Sequence, residues 1–175
     1  REINMKYKVL KKQNSSKTCL VCGVKNDLGL KARFYQLENG ELVSIFNSKE
    51  FHQSYPGRVH GGISAAILDE TIGRAISVSD ETVWGVTGSL ELRYKKPVPI
   101  DCDLITVARV TRDTRKLFEG EGEIILPNGE IAVTAKAKYV KMPLEKIADE
   151  CDMAEEWLPI PDDEPVEYIE IPGRC

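Results

Sequence analysis

The feature that most constrains this chain is residues 62–79, which are apolar almost all round a helical wheel: Ile63, Ala65, Ala66, Ile67, Leu68, Ile72, Ala75, Ile76 and Val78 leave few polar positions. A helix with that pattern cannot lie on a surface and has to be enclosed by other elements. Four strand-like runs follow it, at 83–94, 104–112, 116–126 and 131–141, rich in β-branched residues and partly alternating with period two. Two more precede it, at 30–36 and 42–47, joined by Glu38-Asn39-Gly40-Glu41, whose Asn-Gly pair is a strong hairpin signal. Pro127-Asn128-Gly129 marks a second hairpin, and Pro97-Val98-Pro99 breaks the sheet between the first two later runs. The order predicts an α+β fold, an antiparallel sheet wrapped around one long central helix.

The chain has 175 residues, suited to one domain. Its expected layout is an extension over 1–18, a core domain over 19–142, and a tail over 143–175. In that tail a short helix at 144–151 gives way to an acidic stretch, with 160–175 expected to be weakly ordered or draped over the surface. Net charge is −4, which argues against nucleic acid, whose phosphates demand clustered positive charge. Eleven of the 28 acids fall in 145–175 beside only Lys146 and Arg174, so 1–144 keeps 22 bases against 17 acids. A basic body suits a polyphosphate ligand; a solvated surface with an acidic tail accounts for it equally well. No apolar run reaches the ~20 residues of a membrane span. Residues 5–12 are basic and mixed rather than a secretory signal, so a cytoplasmic setting is expected.

Chemistry concentrates where loop becomes helix, at His60-Gly61-Gly62. A helix start exposes unpaired N–H groups and the positive end of the dipole. Two glycines let a ligand approach that backbone closely. The result is a place for a developing oxyanion. Further along, Asp69 has Ala65, Ala66, Ile72 and Gly73 at helical spacing. It is therefore expected to point into the apolar face, where a carboxylate needs a partner or a task. Glu70 faces Arg74 at i+4, which reads as a plain helix-surface pair. Each feature alone has an ordinary structural reading: a Gly-Gly turn, a capping histidine, a hydrogen-bonded core acid. Their presence together on one buried helix shifts the balance to a site.

The five cysteines include one close pair, Cys19-x-x-Cys22. A structural zinc site wants four protein ligands, but no second Cys or His pair has suitable spacing and the only histidines are His52 and His60. Redox chemistry lacks the usual βαβ context. Two thiols in a turn packed on the core is the favoured reading, and no metal is expected.

His60-Gly61-Gly62 with an acid nine residues after the histidine resembles the hotdog-fold acyl-CoA thioesterases of the phenylacetyl-CoA-pathway type. Tyr55-Pro56-Gly57-Arg58-Val59 fits the same loop, and Arg93-Tyr94-Lys95-Lys96-Pro97 looks like the family's aromatic-x-x-Pro strand end. Cys19-x-x-Cys22-Gly23-x-x-Asn26-x-x-Gly29-Leu30 looks like the start of one subgroup. The resemblance covers about residues 19–141 and implies a hotdog fold and hydrolysis of an acyl-CoA thioester. It implies Asp69 as general base or nucleophile, the Gly61 N–H polarising the carbonyl with Gly62 beside it, and His60 orienting the substrate. Thr87 falls where the family often has a hydroxyl that orients water. Ser54 stands where related enzymes often carry Asn, with Gln53 beside it; either can serve as a hydrogen-bonding substitute. Arg93, Lys95 and Lys96 are candidates for coenzyme A phosphates, or are ordinary exposed strand residues. The resemblance further implies a homodimer or dimer of dimers with a shared site, and no cofactor beyond the coenzyme A of the substrate.

Two other functions compete with hydrolysis. A non-catalytic acyl-CoA- or lipid-binding module gains from Ser54 and loses from Asp69, which a mere binder need not bury. A hydratase or dehydratase needs a His–acid pairing that His52 does not provide. The acyl group is not legible.

Overall fold

The computed structural model describes residues 4–148, 150 and 152–174. Among them ten strands alternate with few helices: β1 (Met5–Lys12), β2 (Ser15–Ser16), β3 (Arg33–Leu37), β4 (Leu42–Asn47), α1 (Gly61–Ala75), β5 (Gly85–Tyr94), β6 (Asp103–Asp113), β7 (Leu117–Ile125), β8 (Ile131–Lys141), α2 (Leu144–Ile147), α3 (Met153–Glu156), β9 (Trp157–Leu158) and β10 (Tyr168–Ile171). Eight of the strands form one sheet, ordered β10-β1-β3-β4-β6-β7-β8-β5. Every pairing in it is antiparallel. The sheet curls round α1, which packs against β4, β5, β6, β7 and β8. This is the helix-in-sheet arrangement that the apolar helix demands.

The two expected hairpins form, with Gly40 and Gly129 each at φ 84°, a conformation open to glycine at no steric cost. In β8 the alternation is legible directly: Val133, Ala135, Ala137 and Tyr139 are buried while Lys136 and Lys138 are exposed. The inward residues join Ile67, Leu68, Ile72 and Ile76 of the helical segment in the main core. A second apolar cluster, with Tyr35, Leu37, Val43, Val107, Ile125, Ile169 and Ile171, covers the other face of the sheet.

Three expectations need correction. The helix stops at Ala75 and continues only as a 3₁₀ turn through Val78. The short helix of the tail spans Leu144–Ile147; its expected end at residue 151 lies outside the described residues. Residues 160–175 are not simply draped: Tyr168–Ile171 pairs with β1 as the edge strand and buries Ile169 and Ile171. Arg174 reinforces it by bonding Glu41 and, at 2.8 Å, Glu123; Arg109 bonds the same two acids. The N-terminal residues likewise enter the sheet as β1 between β3 and β10.

Candidate active site

Helix α1 begins at His60, an extended N-cap whose Nδ1 accepts the Gly62 N–H at 2.9 Å. That bond satisfies one orphan donor of the first turn and leaves the imidazole proton on Nε2. The His60 carbonyl accepts from Ile63 and Ser64. Among the described residues none accepts from the Gly61 N–H, so this donor at the positive helix end stays available. Tyr94 closes over the same turn, its hydroxyl donating to the Gly61 carbonyl at 2.8 Å.

The preceding loop is shaped locally. The Gln53 side-chain oxygen accepts the Gly57 N–H at 2.9 Å, and the Ser54 N–H bonds the Arg58 carbonyl. Gln53 thus supports the Tyr55–Arg58 turn, whereas the exposed Ser54 keeps its hydroxyl at the surface.

Asp69 sits two turns further along α1. It is half-buried rather than deeply buried, because the helix face that carries it borders a cavity of about 390 Å³. The Thr87 hydroxyl donates to its carboxylate, 2.9 Å from Oδ1 and 3.1 Å from Oδ2. The Tyr139 hydroxyl lies 2.9 Å from Oδ1 and 2.7 Å from the Asp69 carbonyl. Thr87 and Tyr139 are cross-strand partners on β5 and β8, so they face the helix together. A β-bulge follows at once between Thr87 and Ser89, a device that re-aims side chains beside sites. Burial first, then the Asp69 charge, push the Tyr139 phenol well above its ordinary range, so it remains a donor. Its ring stacks on Phe118 at 4.8 Å. It also runs close beside Gly73, where an added Cβ would come within 3.0 Å of it.

Tyr139 was not singled out from the sequence. A tyrosine on the inward, apolar face of a strand must find a partner for its hydroxyl, and that signal was available.

Eight residues of α-helix separate Gly61 from Asp69, about 12 Å at 1.5 Å per residue. The two cannot act on one carbonyl within a single chain. Arg93, Lys95 and Lys96 also lie away from Asp69, near the Gly61 end. Arg93 pairs with Glu91 at 3.4 Å, Lys96 bonds Glu130, and Arg93 and Lys95 line a groove that also includes Arg109 and Glu123.

Glu70 and Arg74 form more than a plain surface pair. Their side chains are only 20% and 10% exposed. Arg74 packs between the rings of Phe34 and Trp157, 4.2 and 4.5 Å from their centroids, and also bonds Cys22 Sγ at 3.0 Å and the Asn14 carbonyl at 2.8 Å. Cys19 Sγ lies 3.2 Å from Glu70 Oε2. A hydrogen bond from Cys22 is the main cause that draws the Cys19 thiol down to about 7, and the same bond pushes Cys22 up. Cys19, Glu70 and Arg74 line the cavity that Asp69 and Thr87 also line. Helical spacing alone does not reveal this cluster, because the Cys19–Cys22 turn comes from a distant segment.

Residues 56–133 match the family model described as the thioesterase superfamily. Over 116 residues the chain is 30% identical to the acyl-coenzyme A thioesterase THEM4 of Mus musculus, an alignment spanning 66% of this chain and 49% of that protein. It is 32% identical over 68 residues to the acyl-coenzyme A thioesterase THEM5 of Homo sapiens, spanning 39% of this chain and 27% of that one. The chain thus spans about half or less of the length of these curated relatives. A crystal structure described as a thioesterase superfamily protein superposes with TM-score 0.65 at 26% identity, covering 70% of this chain and 59% of the other. Zebra fish thioesterase superfamily member 2 superposes with TM-score 0.58 at 22% identity, covering 63% and 80%. The wrapped sheet and single central helix are the hotdog fold of that superfamily. Among the described residues no helix is long and apolar enough to cross a membrane.

Proposed function

We propose that this hotdog-fold chain, whose residues 56–133 match the thioesterase superfamily, hydrolyses the thioester of an acyl-coenzyme A to the free acid and coenzyme A. The observation that carries the reading is the Asp69 carboxylate, held by two hydroxyl donors at the edge of a cavity on the central helix. Oδ1 takes the shorter Thr87 bond and the Tyr139 bond, which leaves Oδ2 the freer oxygen. In the proposed reaction Oδ2 takes a proton from water as the water oxygen bonds the thioester carbon. The carbonyl oxygen becomes an oxyanion that accepts from a Gly61 N–H, donors of this kind being worth several kcal/mol in a transition state. The C–S bond then breaks, and the departing thiolate takes a proton on release. Thr87 orients the carboxylate and the attacking water, and the His60 Nε2–H orients the substrate.

The roughly 12 Å between Gly61 and Asp69 along one helix means that a complete site draws Asp69 from one copy and Gly61 from another. Among the described residues, strand β5 ends the sheet with no further strand paired to it. Pairing of two such edges would extend the sheet, bring two helices together and protect the edge. A homodimer, alone or as a dimer of dimers, is therefore part of the proposal. So is a cytoplasmic, reducing setting, which keeps the thiols free. The proposal also gives the exposed Arg93 and Lys95 the coenzyme A phosphates, the basic side chains such a polyanion needs, while Lys96 is engaged by Glu130.

Thiol release from a panel of acyl-CoAs of different chain length, with the protein's own cysteines subtracted, tests this reading. Multiple turnover supports hydrolysis and identifies the acyl class. Stoichiometric binding without turnover would instead make the chain an acyl-CoA carrier.

A further inference from the structure

On the wall of the same cavity, beside the residues assigned to hydrolysis, the most organised chemistry lies where the N-terminal Cys-x-x-Cys turn meets α1. Cys19 Sγ, Cys22 Sγ and a Glu70 carboxylate oxygen all lie within 4.8 Å of one another. Tetrahedral zinc, with Zn–S of about 2.3 Å and Zn–O of about 2.0–2.2 Å, spaces its ligands roughly 3.5–3.8 Å apart. Small shifts bring these three atoms to that spacing, and the pair Cys19 Sγ–Glu70 Oε2 already stands at 3.2 Å.

The surroundings orient each ligand. The Val21 N–H points at Cys19 Sγ and the Ser16 N–H at Cys22 Sγ, both at 3.3 Å. A tight turn holds the two thiols on one side: the Gly23 N–H bonds the Cys19 carbonyl at 2.9 Å, and a Cβ at Gly23 would strike that oxygen at 2.3 Å. Arg74 fixes Glu70 through Oε1, at 3.0 and 2.8 Å, which leaves Oε2 turned toward Cys19. Partners that grip the outer atom of a ligand in this way are a common accompaniment of metal sites.

Charge also balances. Two thiolates, the form metal binding requires, and one carboxylate carry three negative charges. Arg74 offsets one, and a divalent cation would neutralise the rest.

We propose that Cys19, Cys22 and Glu70 bind one borderline-soft divalent cation of the zinc class, with a fourth position facing the cavity that Cys19 and Glu70 line. Two sulfurs select such an ion over magnesium or calcium, which prefer all-oxygen shells. The ion would clamp the 19–29 turn onto the helix that carries Asp69.

The test uses the full chain, reduced and chelator-treated under nitrogen, titrated with Co²⁺ alone. The expected result is a near-ultraviolet thiolate-to-cobalt band with tetrahedral visible bands, saturating at one ion per chain and displaced by Zn²⁺. Cys19→Ser should lose the charge-transfer band. Glu70→Gln should weaken binding by at least ~10-fold, the smaller loss expected even for an outer partner. Cys102→Ser should bind like the wild type. Because the buried Cys22 is a risk to folding, the wild type carries a second measurement: Zn²⁺ should raise its melting temperature by mass action. Absence of the thiolate band in the reduced wild type overturns the proposal. So does a band that survives unchanged in Cys19→Ser, or formation of a Cys19–Cys22 disulfide by a protein that takes up no cobalt when reduced.

Discussion

The Tyr139 hydroxyl lies 2.7 Å from the main-chain oxygen of Asp69 and 2.9 Å from its Oδ1. One phenol on the sheet therefore fixes both the helix turn and the carboxylate proposed as the base. Thr87, directly across the strand pair, grips the same carboxylate from the other side.

Tyr139→Phe removes that donor and keeps the ring. A hydrogen bond to a charged group is worth about 1.5–3 kcal/mol, so kcat should fall about 10-fold or more, with melting temperature lowered because the helix carbonyl also loses its partner. Steady-state kinetics and thermal melting check both. Unchanged kcat with a lower melting temperature would reduce Tyr139 to a structural tether.

Gly73→Ala puts a methyl within 3.0 Å of the Tyr139 ring edge. Overpacking of this kind costs about 1–3 kcal/mol, and the displaced ring should lose its grip on Asp69. The account predicts that Gly73→Ala lowers activity in the wild type and much less in a Tyr139→Phe background, since residues acting through one contact are not additive. Equal losses in both backgrounds would separate Gly73 from Tyr139.

The shared site makes a sharper demand on the assembly. Asp69→Asn and Gly61→Val should each be nearly inactive alone. Mixed, dissociated and reassociated, they should recover about a quarter of wild-type activity, because half of the two-fold dimers are mixed and each holds one intact site. A Cβ at Gly61 meets only ordinary contacts with Tyr94, the nearest at 3.4 Å, and thermal melting of Gly61→Val checks that its two further methyls leave the fold intact. No recovery on mixing contradicts a site built from two copies.

Much of this was legible in advance, for physical reasons that differ by element. Leu42–Asn47 stands where the Asn39-Gly40 hairpin signal placed it, and Ile131–Lys141 where its alternation did, since period two leaves little choice of register. Asp69 stood out because a carboxylate among apolar helix neighbours needs an explanation, and Thr87 followed from the resemblance. The β10 pairing escaped notice: only Ile169 and Ile171 alternate in an acidic context, and the partner strand is at the opposite end of the chain. The Cys19–Glu70–Arg74 cluster was missed because i+4 spacing describes a helix alone and cannot see a turn docking on it. Tyr139 went unremarked within its strand, although a tyrosine on an inward strand face needs a partner for its hydroxyl.

The C-terminal staple predicts an acid limb in stability. Burial alone would raise the Glu41 carboxyl, but the bonds from Arg174, Asn39 and Arg109 hold it below its ordinary value. A carboxyl depressed in the folded state contributes stability above its unfolded value and loses it as pH falls through the folded one. Melting temperature should therefore drop on acidification below the ordinary glutamate range. Glu41→Gln should melt lower near neutrality and show a shallower acid limb. An identical limb in the variant would assign the acid sensitivity elsewhere.

The most direct test of the central claim is the rate of coenzyme A release by wild type beside Asp69→Asn, under saturating acyl-CoA of the preferred chain length. Asparagine keeps the size of the side chain and can still bond Thr87 and Tyr139, so the fold and substrate binding should persist while the base is lost. The account predicts a fall in kcat of at least ~10²-fold with KM little changed, the loss expected of a general base. A variant that matches the wild type in kcat would contradict it and make Asp69 a structural acid.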